Sequence, residues 1–519
     1  TQPGSPGLAA IPARPKHDCK AEERPPRRVL QAFADHLGEG PERQVLRLLG
    51  LFDRPAPSDE LQALRAPPAI AGLTDRLEPP GAWEAALTRL RALGLIAQAP
   101  APNSPAAGSL DAHPLIRTHF ADDLPAAAAQ AGHDRLYRHL IAKPAKDQPD
   151  TLADLHPLYL AIPHGVAAGH AQEVLDEVYL RRIRRGEQMY SLKKLGAYGA
   201  SLAALAAFFD PPWSQPLSEL TGGDRAFLLN EAGLCLRALG RLAEAVELYR
   251  VGREMRIQQQ RWNNASAQAG NLSEVLVALG RLPEAVAAGR QAVDLADRSG
   301  DASERIDDRT IFADALHQSG DAVEARRWIV EAEAIQRKWQ PAYPLLYSLQ
   351  GFRYGDLLLG QGEAGEMRRR AAQTLEWVTR FADPLSIALN HLSLGRAEAA
   401  VGKVRAAADS LERAVDGLRR AGDQDMLALG LLARAAFRRG QGQFDKAERD
   451  LAEVRRIAGR GGMRLHLIDA ELEEVRLRRA EGRAEDPEAL GRIRAAIAET
   501  GYHRRDRELE ELEATVTPR

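Results

Sequence analysis

The residues of this 519-residue sequence whose types and spacing point to chemistry are amides, aromatics and arginines, and the chemistry they offer is recognition. Asn230, Asn271 and Asn390 each stand shortly before a recurring glycine. An amide both donates and accepts, so it can read the backbone of an extended peptide. Asn263 and Asn264, with Trp262, stand just ahead of Asn271. The plainer alternative is that these amides cap helices or face water. A second set is Tyr343, Tyr347, Phe352 and Tyr354 around Arg353, the most aromatic window of the chain. Aromatics beside an arginine make good interface anchors. The alternative here is a locally degenerate segment that buries its tyrosines. A third set, Arg181, Arg182, Arg184, Arg185, Lys193 and Lys194, has the charge to touch nucleic acid or acidic partners. Helical geometry spreads it over more than one face, and a solvated surface is the simpler reading.

Catalytic patterns are missing. Gly402-Lys403 lacks the glycine spacing and the following hydroxyl of a phosphate loop. There is no HExxH and no GxSxG, and neither the spacing of Cys19 and Cys235 nor the histidines near them suggests a metal site. The 13 histidines are scattered. The expectation is no enzyme, no metal and no cofactor. A formal net charge of -2 gives no global attraction to nucleic acid or membranes. The uncharged stretch Leu195 to Phe209 is too short and too rich in Gly and Ala to span a bilayer. The Pro-rich start carries no apolar leader core, and a reducing cytoplasm is the expected compartment. The sequence opens on Thr and not Met, which reads as a fragment with something missing upstream.

The elements that must position these residues come from a repeat. ALGRLAEA at Ala238 to Ala245 returns as ALGRLPEA at Ala278 to Ala285. A turn glycine recurs as Gly240, Gly280, Gly320, Gly360, Gly402, Gly442 and Gly482, at a pitch of 40 residues with one interval of 42. Apolar residues at helical spacing flank each glycine, which suits a left-handed helix stop. Each unit is thus a helix, a tight turn and an antiparallel helix. Small residues recur seven before the glycine (Gly233, Ser273, Ala313, Gly395, Ala435), five after (Ala245, Ala285, Ala325, Ala407, Ala447) and twelve after (Gly252, Ala292, Ala332, Ala372, Ala414). The spacing is similar to that of the tetratricopeptide repeat, with a longer period. A HEAT or armadillo array has a compatible length but does not explain all three small positions. The fourth unit breaks the pattern, with Arg353 and Gly365 in place of small residues. In such a stack the first helices line the concave face.

The expected fold is mostly α. Residues 1–26 read as a disordered tail, 27–125 as a winged-helix-like domain, and 126–222 as a helical region with divergent repeats. Residues 223–500 read as the repeat superhelix and 501–519 as a capping helix and tail. Within 27–125, short helices are expected at Arg27–Leu37, Pro41–Phe52, Ser58–Arg65 and Gly81–Leu93. Two short strands, Leu95–Gln98 and Ser109–Ala112, would flank the loop Ala99–Gly108, and His113–Leu124 would be the closing helix.

LRLLGLFDRPA (Leu46 to Ala56), LRALGLI (Leu90 to Ile96) and LDAHPLIRTHF (Leu110 to Phe120) resemble the winged-helix segment of STAND-class signalling ATPases of the NB-ARC and NACHT type. SLKKLGAYGASLAALAAFFDPPW (Ser191 to Trp213) and FLLNEAGLCLRALGRLAEA (Phe227 to Ala245) resemble the repeat half of the same bacterial proteins. The resemblance implies an ATPase domain upstream or on another chain. It also implies a nucleotide-sensing role for His113, at the place of the family's MHD histidine, with Pro114 where the pattern has Asp. The leading expectation is a sensor and regulatory module that holds a protein or peptide ligand in its concave groove, without membrane or nucleic-acid binding. A transcriptional regulator with a DNA-binding winged helix, and a generic assembly scaffold, are the other readings.

Overall fold

The computed structural model describes residues 24–97, 108–484 and 486–514. The expected tail at 1–26, with Cys19, lies almost wholly outside them. So do Gln98 and the loop from Ala99 to residue 107. The chain divides into two compact units, which meet in sequence at Glu187 and Gln188.

The first unit is built on α1 (Arg24–Leu37), α2 (Pro41–Gly50), α3 (Ser58–Arg65), α4 (Ala82–Ala92) and α5 (Pro114–Asp122). They close over one apolar core that includes Leu46, Leu49, Leu64, Leu90 and Phe120. Arg43 and Arg47 of α2 both bond Asp123 just past α5, which fastens the last helix to the core. The expected strands do not form among the described residues. Leu110 exchanges both backbone bonds with Ala56 (2.8 and 2.9 Å), so the return strand pairs with the loop after α2. A single bond from Ala97 N to Asp111 O, 2.8 Å, is what remains of the hairpin. α6 (Ala126–Ala142), α7 (Leu152–Ala167) and α8 (Ala171–Glu173) follow, and α8 runs on as a π-helix, Val174–Arg184.

The second unit starts with the short helices α9 (Tyr190–Lys193) and α10 (Tyr198–Leu205). The first helices of the repeats are α11 (Gly222–Ala238), α13 (Trp262–Ala278), α15 (Ala302–Gln318), α17 (Ser348–Gly360), α19 (Pro384–Ala400), α21 (Gln424–Gly440) and α23 (Arg464–Glu481). Their antiparallel partners are α12 (Leu242–Gln258), α14 (Leu282–Ser299), α16 (Ala322–Trp339), α18 (Ala364–Phe381), α20 (Val404–Ala421), α22 (Phe444–Gly461) and α24 (Ala489–Thr500). A final helix, α25, spans Asp506–Ala514. Side-chain caps start several of them: Thr221 accepts from Asp224 N, Asp301 from Glu304 N, and Asp423 from Met426 N.

Six of the seven expected turn glycines hold left-handed backbone, with φ between 68 and 93°. Gly360 does not. It is the last residue of α17, and the turn falls to Gly362, φ 79°. The 42-residue interval therefore lies before the fourth turn and not after it. This corrects the register of the fourth unit. Seven residues before Gly362 stands Gly355, so the small residue is kept there. Arg353 replaces nothing. Five after Gly362 stands Met367, whose Cε lies 2.9 Å from where a Cβ on Gly355 would be.

The small positions do what their size permits. A Cβ on Gly233 would lie 2.7 Å from the Tyr249 ring, and one on Gly395 would lie 2.7 Å from Leu411. Ala245, Ala285, Ala325 and Ala407 are fully buried between helices. No single unit could bury such a stripe alone, so each depends on its neighbour.

The stack also winds back on itself. Gly240, the first turn, meets Met463, 223 residues later. Gly280 meets Thr500 and Arg464, and Gly320 meets His503. Leu282 joins a core with Leu465, Ile493, Ile497 and Tyr502. One superhelical turn thus takes about five and a half of the 40-residue units. The concave face of the array is closed into a channel.

Candidate recognition channel

The channel holds a partly open cavity of about 270 Å³. Its walls come from the first helices, from Arg237 of α11 through His466 and Arg476 of α23, and from the C-terminal residues Tyr502, Arg504, Arg505 and Glu508. One wall is apolar: Met426, Leu429, Leu432, Ala433 and Ala436 of α21 face inward. The remainder is a network of arginines and carboxylates.

A register explains the network. Six residues before successive turn glycines stand Glu274, Asp314, Asp356 and then Arg396. One first helix after another therefore puts a charged rung on the inner face. Glu274 accepts from Arg237 and Arg353, and Arg353 also bonds Thr310 Oγ1 at 3.0 Å. Asp356 accepts from Arg396 at 2.6 Å and from both terminal nitrogens of Arg504. Burial opposes its ionisation, but Arg504 and Arg396 outweigh burial and hold the carboxyl well below its usual range. Asp314 accepts from Gln318 Nε2 at 2.8 Å, and burial pushes its carboxyl up to about 6. Farther along, Arg505 grips Asp469 at 2.8 and 3.1 Å. His466 Nε2 lies 2.6 Å from Asp425; burial disfavours the imidazolium, yet the Asp425 bond outweighs it and raises the histidine.

These features limit the chemistry. The lining holds no Ser, Thr, Cys or Lys, so it offers no hydroxyl or thiol nucleophile other than the Tyr502 phenol. Burial pushes that phenol up, away from its nucleophilic form. Asp314, His317 and Asp356 present ligand-type atoms within 4.8 Å of one another. Both oxygens of Asp356 are already engaged by the guanidiniums of Arg396 and Arg504. A divalent ion there would sit among positive charges.

The sequence-level candidates scatter across this structure. Arg353 lines the channel as an ion-paired wall residue. Tyr347 lines a separate pocket of about 250 Å³ with Trp339 and Phe381. Tyr343 packs against Trp377 and Phe381, with centroids 5.3 and 5.4 Å away. α17, which gives Ser348 and Gln350 to this pocket, has 13 residues where α11, α13, α15, α19 and α21 have 17. Asn271 donates to Asn230 at 3.1 Å, linking α13 to α11 beside the channel. Asn390 is buried, with its amide bonded to Ser386 O and accepting from Thr374. Asn264 is exposed near the start of α13. His113 is exposed and caps α5, accepting from Leu115 N at 3.2 Å.

The basic run resolves into local bonds. Arg181 pairs with Glu177 and Asp147, and Arg182 donates to Asp147 O and Ile141 O. Lys194 donates to Phe381 O and Ala382 O. Sequence reasoning missed Asp314, Asp356, Arg396, Arg504 and Arg505. For the first three the signal was present: a charged residue six before the turn glycine, with Asp356 joining Asp314 and Arg396 once the fourth turn is set at Gly362.

No helix among the described residues is long and apolar enough to cross a membrane. No protein family and no curated protein matches the sequence. Among solved structures, the chain is similar to a STAND protein with a tetratricopeptide repeat sensor from Pyrococcus horikoshii, at 13% identity and a TM-score of 0.39, over 96% of this chain and 68% of that one. It is also similar to a Rap protein complexed with Competence and Sporulation Factor, at 14% identity and a TM-score of 0.43, over 69% and 98%. The apo form of RapI gives 12% and 0.25, over 69% and 95%. At these scores the likeness fixes neither family nor activity.

Proposed function

We propose that this chain is a non-enzymatic recognition and regulatory module, which takes a peptide or an extended protein segment into the channel of its second unit. The observation that supports this reading is the partly open cavity, apolar on one wall and charged on the others. A site with an apolar body and a few fixed polar groups suits ligand orientation. At about 270 Å³ it suits a short extended segment better than a folded domain. In the finer form of the proposal, the chain is the sensor arm of a STAND-type signalling ATPase. Residues 27–125 then act as its winged helix. His113, at a helix N-terminus, meets the nucleotide phosphate of an ATPase domain upstream or on another chain. DNA binding by α4 has less support, because Arg89 is paired with Glu42 at 3.2 Å.

The test is to pass a pool of random heptapeptides over the immobilised chain and over Ala433→Trp, which fills the channel from its apolar wall. The wild type should enrich a peptide subset that the variant does not, with equal thermal melts. Enrichment of the same peptides by both would place recognition elsewhere.

A further inference from the structure

The three acidic rungs of the channel are not equivalent. Glu274 holds two guanidiniums, from Arg237 and Arg353. Asp356 also holds two, from Arg396 and Arg504. Asp314 stands between them in the ladder and accepts from the Gln318 amide. Among the described residues it forms no ion pair. The neighbouring arginines have little freedom to supply one. Arg237 and Arg353 are committed to Glu274, Arg396 and Arg504 to Asp356, and Arg505 to Asp469. Asp314 keeps part of its surface open, and it lines the cavity. α21, with its apolar inward face, lies three units on, or about half a superhelical turn away.

We propose that Asp314 is the cation seat of the channel, pairing with a guanidinium or ammonium group of the ligand while an apolar part of that ligand lies against Leu429, Leu432 and Ala433. The proposal rests on the channel reading above and names the ligand's chemistry. The adjoining rungs show that this inner face accepts guanidinium, since each already holds two. A charge-assisted bond to a buried carboxylate is strong and directional. Binding a cation favours the ionised carboxylate, so affinity depends on pH. Arg353 of α17 and Arg504 of the 503–505 turn pull the Asp314 proton off, while burial and Asp356 of α17 hold it on; His317 of α15, within 4.8 Å, is lowered to about 3, chiefly by burial, and stays neutral across this range. Its titration near 6 sets the window: the seat is charged at pH 8 and mostly neutral at pH 5.

The experiment is a calorimetric titration of the full chain at pH 8 and pH 5. The probes are N-acetylarginine amide, its uncharged analogue N-acetylcitrulline amide, and zinc ion. The proteins are the wild type, Asp314→Asn, Asp314→Ser and Ala433→Trp, each first checked for an unchanged melt. The arginine probe should bind at pH 8, about tenfold more weakly at pH 5 and about tenfold more weakly to both Asp314 variants. The citrulline probe should bind no better than to Asp314→Asn. Arginine binding that survives both Asp314 variants but is lost in Ala433→Trp would overturn the cation seat and leave the channel reading standing. Binding unaffected by all three variants would overturn both. Failure of the arginine probe to bind at pH 8 overturns the seat, as does zinc binding through Asp314 without the organic cation.

Discussion

Glu304 offers a sharp test of the energetics, because it places an acid where burial works against it. It sits in the first turn of α15, where the helix dipole ordinarily favours a carboxylate. Here burial, with Asp307 and Asp301 nearby, pushes its carboxyl from an ordinary 4.5 up to about 8. A raised folded value means the folded state holds the proton more tightly. Stability from this group is full below about pH 4.5 and is lost as pH rises towards 8. The gap, at about 1.4 kcal/mol per pH unit, sets a ceiling of about 5 kcal/mol. Partial contact with solvent brings the expected cost down to roughly 2–3 kcal/mol. Glu304→Gln keeps the shape and removes the titration. It should therefore stabilise the chain by roughly 2–3 kcal/mol at pH 9 and by well under 1 kcal/mol at pH 4.5. Urea unfolding of both proteins at the two pH values measures this. An equal gain at both values, or none at pH 9, would show that Glu304 is not held in its neutral form.

Other perturbations address the packing and the closure. Ala285 is fully buried against Ser273, so Ala285→Leu should overpack that contact and cost roughly 1–3 kcal/mol in a thermal melt. Arg504→Met removes the contacts to Asp356 and Gln318 but leaves Asp356 its Arg396 partner. It should cost near the low end of about 3–5 kcal/mol, and hydrogen exchange should rise over 489–514 without rising over α11 and α12. Arg353→Ala strips Glu274 of one of two cations, so it should lower stability in urea by roughly 2–4 kcal/mol. A ligand-only effect of that variant, with unchanged stability, would contradict its placement in the wall.

Much of this architecture is written into the sequence, because a glycine in the left-handed region and a small residue at a helix crossing are local demands. ALGRLAEA and its copy reveal the pitch, and Gly233, Ala245 and Ala285 reveal where helices touch. The fourth turn misled because Gly360 and Gly362 both stand near the end of α17, and only backbone geometry separates a helix-end glycine from a turn glycine. That two-residue slip made Arg353 look like an anomaly and hid the rung at Asp356. The closure was not legible for another reason. Gly240 meets Met463 through the accumulated rotation of several units, and no short pattern encodes a contact so distant in sequence. Arg504 and Arg505 consequently read as part of a polar cap, although they complete the channel wall. The hairpin failed on a local competition: Ala56 takes both backbone groups of Leu110, which a strand pattern at 109–112 does not reveal. Asn390 shows the limit of reading by residue type, since Ser386 and Thr374 use its amide inside the core.

The central claim is that recognition happens inside the channel and not on the outer face of the array. The most direct measurement is photo-crosslinking of an enriched peptide to a benzophenone amino acid placed either at Leu432, in the channel wall, or at Val330, exposed on α16. The account predicts a peptide adduct at 432 and none at 330. An adduct at 330 with none at 432 would contradict it.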